Sequence, residues 1–190
     1  MEIPITEPEK INFQEMMDYY GYRDGYIGRK KLQLRMFKSW FLHYLAQRVP
    51  TSDMTVKLHR MRGVNIGEHV YIGPYTEIDL LYPHLITIED YVSIGMHTMI
   101  FAHSNPTNSY LIKAQLYPRM VKPVVIKRGV WIPPGCIILP GVTIGEHSII
   151  GAGSLVNKDI PPKTLAIGSP AKPVKNLDIE EPDVEKHTYL

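Results

Sequence analysis

Cysteine is almost missing from this chain of 190 residues: Cys136 stands alone. An intrachain disulfide is therefore excluded, and a reducing cytoplasm is the expected setting. No run of about 18 apolar residues occurs, so no transmembrane span is expected. Charge of neither sign prevails. The formal net charge of +2 argues against nucleic acid as the main partner. The first ten residues are acidic, contain proline and lack an apolar centre, which does not fit a secretory signal. Neither Cys-x-x-Cys nor His-Glu-x-x-His is present, and no metal is expected. Gly151-Ala152-Gly153 does not extend into a nucleotide-binding Gly-x-Gly-x-x-Gly.

What the chain has instead is a period of six. Ile66, Ile72 and Ile78 begin it, followed by Ile88, Ile94 and Ile100, and then by Ile126, Ile132, Ile138, Ile144, Ile150 and Val156. Neither a helix nor a strand alternation sustains that spacing. A three-sided parallel β-helix does, because each flat side takes one hexapeptide and every sixth side chain points inward. A second preference keeps the same phase. Small or β-branched residues stand four positions after the aliphatic, at Val70, Thr76, Val92, Thr98, Val130, Cys136, Val142, Ser148 and Ser154. These suit a narrow interior, so Cys136 reads as core rather than nucleophile. Glycine follows the aliphatic directly at Gly67, Gly73, Gly95, Gly145 and Gly151, which reads as torsional freedom for tight corners.

The expected division is an N-terminal extension with helices (1–57), the β-helix (58–170) with a loop insertion at 104–122, and a C-terminal tail (171–190). Residues 1–10 are expected to be loosely attached, with helices over 11–20 and 29–48. The second carries Leu32, Met36, Phe37, Trp40, Phe41, Tyr44 and Leu45 at helical spacing behind a basic first half. It is expected to cover the first coil or pack on a sister subunit, with peripheral membrane contact through 29–48 as the other reading. Pro50 ends it, and Thr51-Ser52-Asp53 is a turn or a new cap.

Two interruptions break the period. Ile78 to Ile88 spans ten residues and Ile100 to Ile126 spans twenty-six. Both follow the same side of the prism, so both insertions leave at one corner and lie beside each other, about 5 Å apart. The short one holds Asp79, Tyr82, Pro83 and His84. The long one begins at His103 and holds Asn105, Tyr110, Tyr117 and Arg119. A long excursion from a rigid scaffold is where function tends to sit. His69, His97, His103 and His147 share one corner phase, but only His103 stands at the root of the insertion. It is the candidate general base.

Three stretches resemble the hexapeptide-repeat acyltransferases, most closely the maltose and galactoside O-acetyltransferases and their polysaccharide-biosynthesis relatives. They are Leu80-Leu81-Tyr82-Pro83-His84-Leu85-Ile86-Thr87-Ile88, Ile100-Phe101-Ala102-His103, and the span from Val130-Trp131-Ile132 to Gly168-Ser169-Pro170-Ala171-Lys172. The resemblance covers about residues 58–176. It implies a left-handed β-helix, a homotrimer with sites between prisms, acetyl-CoA as donor, and direct transfer without an acyl-enzyme. By that likeness His103 takes the acceptor hydroxyl proton and passes it to the CoA sulfur. Asp79, Tyr82, His84 and Asn105 would orient the imidazole or bind the acceptor. Trp131, Gly135 and Ala152 would line the CoA groove, and Lys158, Lys172 and Lys175 would face its phosphates. The acceptor itself is not encoded. A sugar hydroxyl is the expected acceptor. An amino-sugar nucleotide, a xenobiotic, a zinc carbonic anhydrase on the same fold and a scaffold without catalysis are the rivals.

Overall fold

A computed structural model describes residues 8–104 and 110–179. Three helices come first: α1 (Pro8–Tyr19), α2 (Tyr26–Ala46) and α3 (Ser52–Arg62). The third lies beyond the two expected helices, and of the two readings of Thr51-Ser52-Asp53 the structure takes the new cap. Thr51 accepts a hydrogen bond from the Met54 N–H at 3.4 Å, and Gly63 closes the helix at φ 102°. Its few apolar positions hid it from periodicity. The strands accordingly begin at Asn65, not at 58. Residues 1–7 of the expected loose segment lie outside the described residues.

The strands are short and come in threes. The first coil is β1 (Asn65–Ile66), β2 (Tyr71–Ile72) and β3 (Glu77–Ile78). The second is β4 (Ile86–Ile88), β5 (Ser93–Ile94) and β6 (Met99–Ile100). The insertion follows, with β7 (His103–Ser104), α4 (Tyr110–Gln115) and β8 (Met120–Val121). The third coil is β9 (Val124–Ile126), β10 (Trp131–Ile132) and β11 (Ile137–Ile138), and the fourth is β12 (Thr143–Ile144), β13 (Ile149–Ile150) and β14 (Leu155–Val156). β15 (Thr164–Gly168) and β16 (Ala171–Asn176) end the array.

The chain visits three sheets in cyclic order. Side A is β1-β4-β9-β12, side B is β2-β5-β10-β13-β15 with β16 at its edge, and side C is β3-β6-β11-β14. Equivalent aliphatics stack in parallel register. Ile66, Ile88, Ile126 and Ile144 align on side A, and Ile78, Ile100, Ile138 and Val156 on side C. Both interruptions thus leave between sides C and A, as the arithmetic of six requires. β16 pairs antiparallel with β15, so residues 171–176 belong to the sheet and not to the tail. The tail from 180 onward lies outside the described residues.

Each aliphatic of the series from Ile72 to Val156 is at most 1% exposed. Burying one such side chain contributes about 1.5–3 kcal/mol. The small residues four positions on are buried too, and their polar atoms find partners. The Thr76 hydroxyl donates to the Gly73 carbonyl and the Ser148 hydroxyl to that of Pro161, each at 2.8 Å. The Cys136 thiol donates to the carbonyls of Pro133 and Gly151. Cys136 is a fully buried core side chain, and that burial pushes its thiol up from its ordinary value.

The glycines have a different reason from the expected one. A Cβ on Gly73 would lie 2.6 Å from the Met96 nitrogen, and one on Gly95 2.4 Å from the Pro134 nitrogen. These glycines let the next coil approach. The left-handed torsions fall three residues after the aliphatic, at His69, Tyr75, Tyr91, His97 and His147 with φ between 55° and 59°, and at Gly129, Gly135, Gly141 and Gly153. Rings on one corner of successive coils stack there, His69 on Tyr91 at 4.9 Å and Tyr75 on His97 at 5.3 Å. Those histidines are corner residues. His103 is absent from that left-handed set because the chain leaves the coil at it.

Candidate active site

Asp79 follows β3 and His103 follows β6, one coil apart on the corner between sides C and A. β7 pairs antiparallel with β8, His103 opposite Val121 and Ser104 opposite Met120. This two-stranded stem fixes the His103 backbone where the insertion departs. The Asp79 side chain is fully buried. One carboxylate oxygen accepts from the Leu81 and Tyr82 N–H groups at 2.8 and 2.9 Å. The other accepts from the Ala102 and His103 N–H groups at 2.8 and 3.1 Å, and from His103 Nδ1 at 2.5 Å.

Burial works to raise the Asp79 pKa, but the His103 and backbone hydrogen bonds outweigh it and bring it below the ordinary value. The group is therefore a carboxylate and can only accept. Nδ1 of His103 must then carry the proton, which leaves the lone pair of the neutral ring on Nε2. His103 retains 19% of its side-chain surface, enough to reach a substrate. Asp79 has no exposed oxygen left for a sugar hydroxyl. Of the two roles expected of it, the geometry supports the orientation of the imidazole.

Tyr82 meets the His103 ring edge-on, with centroids 5.4 Å apart. It is buried beneath α1, stacked with Tyr20 and edge-on to Tyr19. Its hydroxyl accepts from the Arg119 guanidinium of the insertion. Burial pushes its pKa up to about 12, so it is a neutral phenol that holds the insertion rather than an open contact for substrate. His84 sits at the rim. Its Nε2 lies 3.2 Å from the Tyr19 hydroxyl, and its carbonyl accepts from the Asn65 amide. Lys113 and Arg119 both donate to Glu15 of α1, at 2.9 and 3.1 Å, which ties the insertion to the helices. Asn105 lies outside the described residues.

Sequence reasoning missed what stands behind Asp79. Arg62, at the end of α3, is buried and donates to the carbonyls of Ile78 and Asp79 at 3.0 and 2.7 Å. It also donates to Nδ1 of His43 and Nδ1 of His59, at 3.0 and 2.9 Å, and to the Ser39 hydroxyl. Both histidines must accept and are therefore neutral. Burial, aided by the Arg62 charge, lowers His43 to about 4 and His59 well below its ordinary value.

The unfolded chain takes up protons near 6.5 that the fold refuses until much lower pH. The unfolded state thus binds more protons in that window, and stability falls as pH drops through it. Each histidine is expected to contribute a slope of about 1.4 kcal/mol per pH unit. Urea midpoints measured from neutral pH to about pH 5 should fall steadily, and His59→Asn, which keeps an acceptor for Arg62, should flatten the slope. An unchanged slope would place the acid sensitivity elsewhere.

The other predicted positions spread along the prism. Trp131 is 53% exposed on side B. Gly135 and Ala152 lie at the corner between sides B and C, following β10 and β13. Lys158 follows β14, two coils beyond His103, and Lys172 and Lys175 are exposed on β16. A Cβ on Gly153 would meet nothing within 4 Å, and one on Gly135 only Gly153 at 3.9 Å. That corner is open, and Trp131 is exposed on the strand that leads to it. Among the described residues no three His, Cys, Asp or Glu side chains could together hold a metal ion.

Residues 123–158 match the family model of the bacterial transferase hexapeptide (six repeats). A putative acetyltransferase of Schizosaccharomyces pombe is 44% identical over 96 residues, 50% of this chain and 45% of that relative. The galactoside O-acetyltransferase of Escherichia coli is 34% identical over 128 residues, 67% of this chain and 59% of the relative. The chain thus spans about half the length of these curated relatives. A hexapeptide-repeat acetyltransferase of Vibrio cholerae, solved in complex with acetyl-CoA, superposes with TM-score 0.64 at 28% identity, over 77% of this chain and 89% of that one. The chain is similar to hexapeptide-repeat acetyltransferases, among them the galactoside O-acetyltransferase, and residues 123–158 carry the hexapeptide match.

Proposed function

We propose that this chain is an acetyl-CoA-dependent O-acetyltransferase acting on a hydroxyl of a sugar or sugar-containing acceptor. The observation that carries this reading is the Asp79–His103 pair, 2.5 Å apart at the root of the insertion on a hexapeptide scaffold. Nε2 takes the acceptor proton as the hydroxyl oxygen attacks, and returns it to the departing sulfur. Asp79 stays ionised and steadies the imidazolium between those two transfers. Acetyl-CoA, when bound, supplies the activated acyl group. Trp131, Gly135 and Ala152 would take its arm, and Lys158, Lys172 and Lys175 its phosphates.

The left-handed sense of the coil is carried over from the family resemblance, whereas the cytoplasmic setting rests on the lone Cys136. Assembly as a homotrimer has a geometric support. Gly135 and Ala152 sit at the B–C corner, whereas Asp79 and His103 sit at the C–A corner. Side C separates the two within one chain, and a neighbour's B–C corner would supply the missing half of each site.

Lys172→Ala combined with Lys175→Ala is expected to weaken acetyl-CoA binding about tenfold or more. Calorimetry reads this, and an unchanged Kd would remove the phosphate role. The function is tested by mass spectrometry of acceptors incubated with enzyme and acetyl-CoA. A sugar gaining one acetyl group that mild alkali strips off is the expected product. An alkali-stable amide would move the acceptor to an amine, and no acetylated product would oppose the reading.

A further inference from the structure

The inner face of α2 is buried through Leu32, Ser39, Leu42, His43 and Ala46. The opposite face is equally apolar. Leu34, Phe37, Phe41 and Tyr44 follow one another at three- and four-residue spacing and so share one face, with Trp40 beside them. Leu34 is 69%, Phe37 58% and Trp40 50% exposed. Their rings form a plate, Phe37 stacked on Phe41 at 6.2 Å and Trp40 on Tyr44 at 5.8 Å. Isolated exposed apolar residues are ordinary, but a contiguous aromatic plate marks a contact surface.

The charges around the plate choose its occupant. From Tyr26 to Ala46 the helix has five Lys or Arg residues and no Asp or Glu. Lys30, Lys31 and Lys38 are exposed, and Arg48 lies 3.6 Å over the Tyr44 ring. A second copy laid face to face would set these cations against each other, and a sister subunit of a trimer, whose contact joins unlike surfaces, is the alternative that the mass in solution tests. An anionic bilayer surface would instead match them, while Trp and Tyr rings suit its headgroup layer. Among the described residues no helix is long and apolar enough to cross a membrane, so the contact would be lateral.

We propose that the outward face of α2 docks on an anionic lipid surface, with Leu34, Phe37, Trp40, Phe41 and Tyr44 in the interfacial layer and Lys30, Lys31, Lys38 and Arg48 against lipid phosphates. The inner face would carry the dyad with it, since the Ser39 hydroxyl donates to the Leu80 carbonyl at 2.7 Å. This inference stands apart from acetyl transfer, because its readout is binding alone.

The experiment is flotation of the full chain with phosphatidylcholine vesicles, with and without phosphatidylglycerol, alongside light scattering. Partition onto the anionic vesicles about tenfold stronger than onto neutral ones is expected, weakening with salt. Leu34→Glu with Phe37→Glu, both on exposed positions, should abolish it without changing the mass in solution. Absence of flotation, or equal flotation on neutral vesicles, overturns the proposal. So does a fall in mass of the double variant, which would make the face a contact between copies.

Discussion

His103→Ala is expected to lower kcat by about 10²–10⁴-fold, while the affinity for acetyl-CoA and the melting temperature stay close to those of the parent. The separation follows from where the side chain sits. Its Nδ1–H is one of five donors to Asp79, and the four backbone N–H groups remain when it is gone. The carboxylate is then still satisfied, and little stability is lost. What disappears is the basic Nε2. A fall confined to kcat marks a group that acts in the transition state rather than in binding. Steady-state kinetics with calorimetry and a melting curve on the same preparation make the check. Turnover near that of the parent would remove His103 from the chemistry.

Asp79→Asn is expected to damage both fold and activity. An amide is nearly isosteric, but its nitrogen cannot accept. Turned one way, it faces the Leu81 and Tyr82 N–H groups; turned the other, those of Ala102 and His103. Donors meet donors in either rotamer, in a site with no water-exposed oxygen. Breaking a buried, hydrogen-bonded charge costs about 3–5 kcal/mol, and a loss of 3 kcal/mol lowers the melting temperature of a chain this size by about 6–12 °C. In the second rotamer the ring of His103 also loses its acceptor at Nδ1, and its proton can settle on Nε2, where the base is needed. A further drop in kcat of about 10²-fold or more follows in the folded fraction. Thermal melting and kcat corrected for folded protein separate the two effects. A variant as stable as the parent would contradict the buried hub.

Most of the scaffold was legible because one physical demand governs it. Each coil must present an aliphatic to the interior every sixth residue, and the count through Ile78, Ile88, Ile100 and Ile126 alone places both interruptions on one corner. Asp79 and His103 were found together for that reason, one position after Ile78 and three after Ile100. The glycines were misread because two demands look alike in a sequence. Clearance for the next coil and left-handed torsion both favour glycine, and here the torsion falls three residues after the aliphatic, on His or Tyr at five corners and on Gly129, Gly135, Gly141 and Gly153 at four others. α3 escaped notice because a short polar helix with few apolar positions has almost no period.

Arg62 had no signal at all. It reaches Asp79 from an element unrelated to the hexapeptide phase, and a buried arginine between two neutral histidines is a tertiary fact. Arg119 was seen in the insertion, but its bond to Tyr82 was not. The cofactor positions were named through resemblance. Their spread over two corners is visible only once the sheets are assembled.

Free thiol released from acetyl-CoA, measured across sugars, amino sugars and nucleotide sugars with the parent and His103→Ala side by side, bears most directly on the central claim. Release that requires an acceptor and collapses in the variant is the predicted result. Release that persists without His103, or none from any acceptor by a chain that also fails to bind acetyl-CoA, would contradict it.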